Sequence, residues 1–409
     1  VTTILREKIM QHYEIAVIGG GLTGSVAALA LARAGRKVAF IAPTVEETDK
    51  RTTALMDQSI RLLERLGLWE TIEPSAAPLS VMQIIDGTKR LLRAPTTQFR
   101  ALDVGLPAFG YNIPNKALHG TLDAAVAAEP NLVQIQHRVD LFDFGPERVT
   151  LTLSQGEALS SDFVVAADGR NSAAREAASI GTRRWSYPQT ALVLNFAHTA
   201  PHGNVSTEFH TETGPFTQVP LPGSRSSLVW VVRPEEAERL CALPLEELST
   251  IVETRMQSML GKVTVDTAPQ TWPLSSLMAE RFGKGRLALV GEAAHAFPPI
   301  GAQGLNLSLR DIIDLSESLG AHPDRAIPAN AGDQFNSRRR PDIMTRTFGV
   351  DLLNRSLLSD FLPVQMARAA GLHLLASAPP LRNLVMQEGI EPGRGLRSLF
   401  DTLRQEMRR

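Results

Sequence analysis

The chain has 409 residues, 43% hydrophobic and 21% charged, enough to bury a large core and to divide into two or three subdomains. A formal net charge of -1 argues against a general nucleic-acid footprint. Cys241 is the single cysteine, which excludes an intramolecular disulfide or a cysteine-rich metal site, and a reducing, cytoplasmic compartment is expected.

The opening VTTILREKIMQHYE carries charges and no apolar run, so no secretory signal is expected there, and Met10 is a candidate native start. Residues 14–41, EIAVIGGGLTGSVAALALARAGRKVAFI, form the first motif. The strand Ile15–Ile18 leads into Gly19-x-Gly21-x-x-Gly24. A helix follows to about Ala34, Gly35 stops it, and Lys37–Ile41 is a second strand. This β-turn-α-β order is the setting of a dinucleotide fingerprint. Gly19 permits the tight turn, Gly21 lets backbone amides reach a pyrophosphate, and Gly24 lets the helix pack on the strand. The helix dipole favours the phosphate charge. Leu22 and Thr23 join these glycines as candidate cofactor-binding residues. The run Ile15–Ala32 is uncharged and long enough for a membrane helix. Three consecutive glycines and the Thr-Gly pair favour the buried strand-turn-helix instead. Where the fingerprint wants an acid ending the second strand, this chain has Ala42-Pro43. Glu46, Glu47, or backbone and water are left to serve the ribose.

Arg51 follows a polar loop, and an apolar helix is expected to start near Thr53. Residues 79–104 hold short apolar segments, with Asp86-Gly87 as a hairpin turn. A helix is expected over Asn115–Ala128, then strands at 133–137, 149–153 and 163–167. The last strand opens the second motif, residues 162–175, DFVVAADGRNSAAR. Asp168-Gly169 alone is a common turn. Between two other glycine-rich loops it reads as a third ligand loop on the carboxyl edge of one sheet. Thr190–Ala197, Val205–Thr211, Phe216–Leu221 and Ser227–Val232 carry strand signals, an antiparallel sheet able to wall one side of a pocket. An amphipathic helix is expected over 240–260.

The third motif is residues 286–311, RLALVGEAAHAFPPIGAQGLNLSLRD. The strand Leu287–Val290 runs into Gly291-Glu292, whose acid can bind a sugar or ribityl hydroxyl. A rigid Pro298-Pro299 corner and Gly301-x-x-Gly304-x-Asn306 then aim a helix N-terminus at a ligand. Arg338-Arg339-Arg340 reads as a solvated helix face. Residues 341–409 are expected to be mostly helical, punctuated by Pro363, Pro379-Pro380 and Pro392. There is no internal repeat, and spacing suggests no catalytic triad or metal cluster.

On the first glycine motif, Arg51 with Ala54-Leu55, Asp168-Gly169, and Gly291 through Asp311, the chain resembles the FAD-dependent aromatic-ring monooxygenases of the p-hydroxybenzoate hydroxylase type. Within them it is most similar to the ubiquinone-biosynthesis hydroxylases. The resemblance implies an α/β fold. A Rossmann-like FAD-binding domain would take residues 10–78, 105–182 and 276–340. An interleaved antiparallel β-sheet substrate domain would take 79–104 and 183–275, with C-terminal helices over 341–409. The implied cofactors are FAD and, as reductant, NADH or NADPH. Asp168 would serve both. Glu292, Gly301, Gly304, Leu305 and Asn306 would lie along the ribityl chain and flavin, Arg51 against the pyrophosphate, and Asn115 is a further cofactor candidate. The family usually has Gly-Asp at the late motif; Glu292 keeps the carboxylate with one more methylene.

The implied reaction reduces FAD with NAD(P)H, adds O2 at flavin C4a, and passes one oxygen from the hydroperoxide to an electron-rich phenol. The cofactor carries the hard chemistry. The helix after Gly301 would point its positive end at the flavin N1–C2=O edge. Pro298 and Pro299 would line the ring face. His295 is either a proton donor near the flavin or a helix-end histidine bonded to backbone. Phe216 and Gln218 are substrate candidates, with core packing as the competing role for Phe216. Trp230 and Trp272 are expected in the core. His202, His210 and His373 lack ligand spacing.

The ubiquinone branch further implies a small aromatic substrate with a prenyl tail, met at a membrane surface. Residues 352–375 offer an apolar stripe with Arg355 and Arg368 for anionic headgroups, or a stripe that packs on the main body. The association would be peripheral, on the inner membrane, or through a biosynthetic complex. The competing readings are a soluble phenol hydroxylase, a prenyl reductase, a halogenase, or a catalytically idle flavin-bearing scaffold. No halogenase-type lysine motif follows the first glycine loop.

Overall fold

Five parallel strands lie side by side in the first sheet: Leu287–Leu289, Ala158–Ala166, Gln11–Ile18, Val38–Ile41 and Leu132–Ile135. The computed structural model describes residues 10–44, 49–88, 95–298 and 302–358, with Ser377 and Met386. Ile15, Ala16 and Val17 are fully buried, as expected of a strand covered on both faces. Val149–Leu153 and Val139–Phe144 extend the sheet antiparallel from Ala158–Ala166. The second of these was not foreseen, because its outward positions are largely exposed and Asp140 and Asp143 mask the strand pattern.

Helices are numbered along the chain. α1 (Leu22–Arg33) buries every residue from Gly24 to Ala32 and packs against α4 (Asn115–Ala128) and α8 (Gln303–Gly320). Burial on all sides explains its lack of charge and its resemblance to a membrane span. α2 (Asp57–Arg65), α3 (Trp69–Ile72) and α5 (Ala173–Ala177) are short. Thr52–Met56 is a strand, not the start of the expected helix, and pairs with Gly110–Pro114 in a small third sheet. The helix begins at Asp57, after the strand has carried Arg51 and Thr53 to Asn115.

The second sheet runs His295–Ala296, Gln270–Ala279, Thr182–His198, Arg225–Val232, Gly214–Leu221, Val205–Thr211, Val81–Asp86, Thr97–Arg100. All neighbours are antiparallel except Val205–Thr211 with Val81–Asp86. The strands on either side of Asp86-Gly87 pair antiparallel as the expected hairpin, joined by a longer connection. The strand partner begins only at Thr97, and Gly87 instead donates its N–H to the His210 carbonyl at 2.9 Å. One sheet face is covered by α6 (Pro234–Cys241) and α7 (Leu245–Arg255), two helices where one was expected, with Pro244 breaking the run.

α9 (Ala331–Leu358) continues through Pro341. Its triple arginine is only in part a solvated face: Arg338 and Arg340 are exposed, but Arg339 is not. Arg339 is 8% exposed and donates to Asp311 at 2.8 Å, because the helix lies along α8. The far end of α8 is pinned by buried Arg36, which donates to the carbonyls of Leu319, His322, Pro323 and Arg325 and pairs with Glu14 at 2.7 Å. No described helix is long and apolar enough to cross a membrane.

Candidate active site

The three sequence motifs end on adjacent strands at one level. Ile18 lies opposite Ala166, and Ala166 opposite Leu289, so the loops at 19–24, 167–172 and 290–294 emerge side by side from the carboxyl edge. This is where open α/β sheets hold ligands.

Steric detail separates the glycines. Gly19 has φ +113°, and a Cβ there would lie 2.3 Å from the Ala167 carbonyl oxygen. At Gly24 a Cβ would meet the Gly19 oxygen at 1.8 Å. Both are demanded by the fold itself. Gly21 is different: a Cβ would meet no protein atom within 4 Å, so the protein has no packing need for glycine there. The open face lies at the N-cap of α1, which has no side-chain cap and leaves first-turn N–H groups to an anion. Thr23 sits against Gly291, joining the first loop to the third, while Leu22 and Leu305 pack against the main core.

In the second loop Asp168 Oδ2 accepts from the Ala174 N–H at 3.2 Å, but its Oδ1 is buried with no partner. A buried carboxylate oxygen left unpaired costs free energy unless a ligand donor meets it. Arg175 locks the second loop to the third, donating to the carbonyls of Ala293 at 2.7 Å and Arg170 at 2.9 Å. Burial first, then the Arg184 guanidinium, lowers the Arg175 pKa against the pull of Asp168. Glu292 Oε1 receives Arg170 at 3.1 Å, and its side chain is 56% exposed. Arg170 also donates to Ser275 Oγ, so it bridges the two sheets.

Asn306 is a knot. Its Oδ1 accepts from the Met56 N–H at 2.8 Å and Ser59 Oγ at 2.7 Å; its Nδ2 donates to the carbonyls of Ala54 at 2.8 Å and Ala302 at 2.6 Å. Both donors and both acceptor positions of the amide are occupied by protein. The side chain therefore positions α8, with its own hydrogen-bonding capacity filled by protein. The α8 N-cap, Ala302, is in the left-handed region at φ +51° and offers no side-chain cap. Gly304 is open on its outer side.

Arg51 is held by both oxygens of Asp49, at 2.8 and 2.7 Å, and stacks over Trp272 at 4.5 Å. Asn115 donates to Asp49 at 2.7 Å and accepts from Thr53 Oγ1 at 2.6 Å. Burial would raise the Asp49 carboxyl, but the hydrogen bonds from Arg51 and Asn115 outweigh it and hold it at about 2. Trp272 is thus no core residue; it is 44% exposed and serves as Arg51's platform, whereas Trp230 is buried.

His295 is not the backbone-bonded helix-end residue of the second expected role, and its buried Nδ1 has no hydrogen-bond partner among the described residues. Nε2 donates to Asp311 Oδ2 at 2.7 Å, both side chains are fully buried, and the ring stacks on Phe297. The bond goes to a carboxylate rather than to backbone. Phe216 takes the core-packing role that competed with substrate contact, and Gln218 is buried on the same strand. Phe216 is packed edge-on to Phe209 and Trp230 in the cluster under α6 and α7. Gln218, two residues along the same face, donates to Ser226 Oγ at 2.8 Å and is 1% exposed. The opposite face carries Ala191, Val229, Val231 and Leu274. Pro298 is buried. Pro299, Gly301, Glu46, Glu47, His373 and the segment from 359, with Phe361, Pro363 and Arg368, lie outside the described residues. Sequence reasoning missed Asp49, Arg170 and Trp272 as parts of the site. Asp49 two residues before Arg51 was the available signal for the first.

An unpaired buried oxygen on Asp168, open space at Gly21 and two helix N-termini without side-chain caps fit a dinucleotide such as FAD. The profile of the FAD binding domain family matches residues 12–345. The chain is 33% identical to the ubiquinone hydroxylase UbiL of Rhodospirillum rubrum, over 94% of this chain and 93% of that protein. It is 28% identical to the 3-demethoxyubiquinol 3-hydroxylase of Escherichia coli, over 92% of this chain and 98% of that protein. Among solved structures, P. aeruginosa PqsL in complex with 2-aminobenzoylacetate shares the fold, with a TM-score of 0.76 at 22% identity, covering 88% of this chain and 99% of that one. The loops, the fold and these likenesses agree, and the chain belongs to the FAD-dependent aromatic-ring monooxygenases, among the ubiquinone-biosynthesis hydroxylases.

Proposed function

We propose that this flavoprotein hydroxylates the ring of a prenylated phenol in ubiquinone biosynthesis, using NADH or NADPH and O2. The observation that supports it most is the alignment of three ligand loops at Ile18, Ala166 and Leu289, in a chain that shares its length with ubiquinone hydroxylases. When bound, FAD supplies electron acceptance from the reductant and the activation of oxygen. This chain's own part is to bind and orient. The α1 N-terminus and Gly21 receive the pyrophosphate, and Asp168 Oδ1 and Glu292 receive hydroxyl donors along the cofactor. The α8 N-terminus, which has no side-chain cap, would stabilise negative charge on the reduced ring system. Arg51, on its Trp272 platform, takes the reductant's side.

A peripheral membrane contact belongs to the same reading. α9 presents Met344, Phe348 and Leu352 at four-residue spacing, 43%, 68% and 56% exposed. That is one apolar stripe on one helix face.

The test is NAD(P)H oxidation by the FAD-loaded protein with and without a prenylated phenol, with mass analysis of the product. Phenol-dependent oxidation with gain of one oxygen supports the reading. Oxidation that ignores the phenol, or a product with a reduced prenyl chain, refutes it. Flotation with anionic liposomes, compared between the parent and Phe348→Ser, tests the membrane contact.

A further inference from the structure

We propose that a buried chain of alternating charges on α9 positions the two ends of the flavin-side loop, and that its members are positioning residues for the hydroxylation. The inference rests on the functional reading above.

The loop between Ala296 and Gln303 carries Pro298 and leads into the α8 N-terminus. On its upstream side, His295 donates to Asp311 Oδ2 at 2.7 Å. Asp311 Oδ1 accepts from Arg339 Nε at 2.8 Å. Arg339 Nη1 donates to Asp342 Oδ2 at 3.0 Å, and Arg346 Nε donates to Asp342 Oδ1 at 2.8 Å. Arg346 Nη1 then reaches Gln303 Oε1 at 3.1 Å, on the loop's downstream side. The circuit leaves one end of the loop and returns to the other.

Helical geometry makes this possible. Arg339, Asp342 and Arg346 are at i, i+3 and i+7, one face of α9, and that face lies along α8. The side chains of His295 and Asp311 have no exposure, and those of Arg339, Asp342 and Arg346 are 10%, 17% and 14% exposed. Arg310 adds a third guanidinium, 3.8 Å from Asp342. A buried network of this kind is weak evidence for stability, because desolvation offsets much of its attraction. Its directional bonds specify one arrangement. Asn306 holds the first turn of α8 and Arg36 its far end, which leaves to the chain how α8 lies sideways against α9. The chain is the lateral constraint, acting through residues that need not touch flavin or substrate.

The experiment uses the FAD-loaded full chain and Asp342→Asn, which keeps the shape and removes the central charge. Arg346→Lys keeps charge and loses the fork, and serves if the first variant does not fold. Glu236→Gln, which breaks an exposed pair with Arg239 on α6, is the control. The readouts are the visible spectrum and midpoint potential of bound flavin, the share of NAD(P)H electrons released as peroxide, and the melting temperature without FAD. The expected result is a shifted spectrum and potential in the α9 variants and about a tenfold rise in the ratio of peroxide to product, since small misplacements near a reacting centre cost up to a hundredfold. The control keeps parental values. A lowered melting temperature with unchanged spectrum, potential and peroxide share would make the chain merely structural and overturn the proposal, as would no change at all. Absence of phenol-dependent turnover in the parent protein would sink the hydroxylase reading, while spectrum and potential would still decide this one.

Discussion

Replacing Asn306 by alanine should be among the most damaging single changes near the site. The amide makes four hydrogen bonds of 2.6–2.8 Å and is 6% exposed. A net contribution of about 1 kcal/mol per bond gives about 4 kcal/mol, before the extra cost of leaving the Met56 N–H and two carbonyls unpaired. That is a large part of the roughly 5–15 kcal/mol that keeps a typical protein folded. Asn306→Asp separates the two halves of the knot. Its carboxylate still accepts from Met56 and Ser59 but cannot donate to Ala54 or Ala302, so it should lose at least half as much. Urea unfolding of the FAD-free protein gives the two stability changes. FAD titration by fluorescence then shows whether α8 has moved. An alanine variant within about 1 kcal/mol of the parent would mean that the four bonds are replaced at no cost, and the positioning role would fall.

Gly19→Ala and Gly21→Ala should part company. The first sets a Cβ 2.3 Å from the Ala167 oxygen at φ +113° and should impair folding, read as lost soluble protein or a lower urea midpoint. The second meets no protein atom, so it should leave the FAD-free protein within about 0.5 kcal/mol while weakening FAD about tenfold; equal effects on folding would remove the ligand role of Gly21. Asp168→Ala should both weaken FAD and slow its reduction in stopped-flow traces, whereas Glu292→Ala should chiefly weaken FAD, by roughly 1–3 kcal/mol; unchanged FAD affinity in the second variant would confine Glu292 to its pair with Arg170. Asp49 has a folded pKa of about 2, below the 3.8 of an unperturbed carboxyl, so its contribution is complete above about pH 4 and is lost as pH falls toward 2. Asp49→Asn should flatten that acid limb in urea midpoints at pH 5, 3 and 2, and an unchanged limb would show that Asp49 does not titrate with folding.

The order of elements through Ile41, the helix Asn115–Ala128 and most strands from 149 to 232 were legible in the sequence. Each announces itself within a few residues, by periodicity, by a glycine, or by an uncharged run. The three loops were legible for the same reason: a strand running into glycine and a small-residue helix is a local pattern. Partners across the fold were not. Asn306 meets Met56 across 250 positions, Arg51 meets Trp272 across 221, and Arg339 meets Asp311 at a separation of 28. Hence Asn306 proved to clamp three segments together, a tryptophan expected in the core proved to be a platform, and an arginine run expected to be solvated proved to contain a buried ion pair.

The sequence by itself determined that three strand-end loops exist and which chemistry they suit. Only the tertiary structure decided that they end in register at Ile18, Ala166 and Leu289. It alone decided that Phe216 and Gln218 turn to the helix-covered face and that the His295 ring is hydrogen-bonded to Asp311. The alternation of a strand says which residues share a face but not which face is covered, and a donor's spacing does not name its acceptor. Packing settles both, because burial leaves each polar group only those partners that the folded chain brings within about 3 Å.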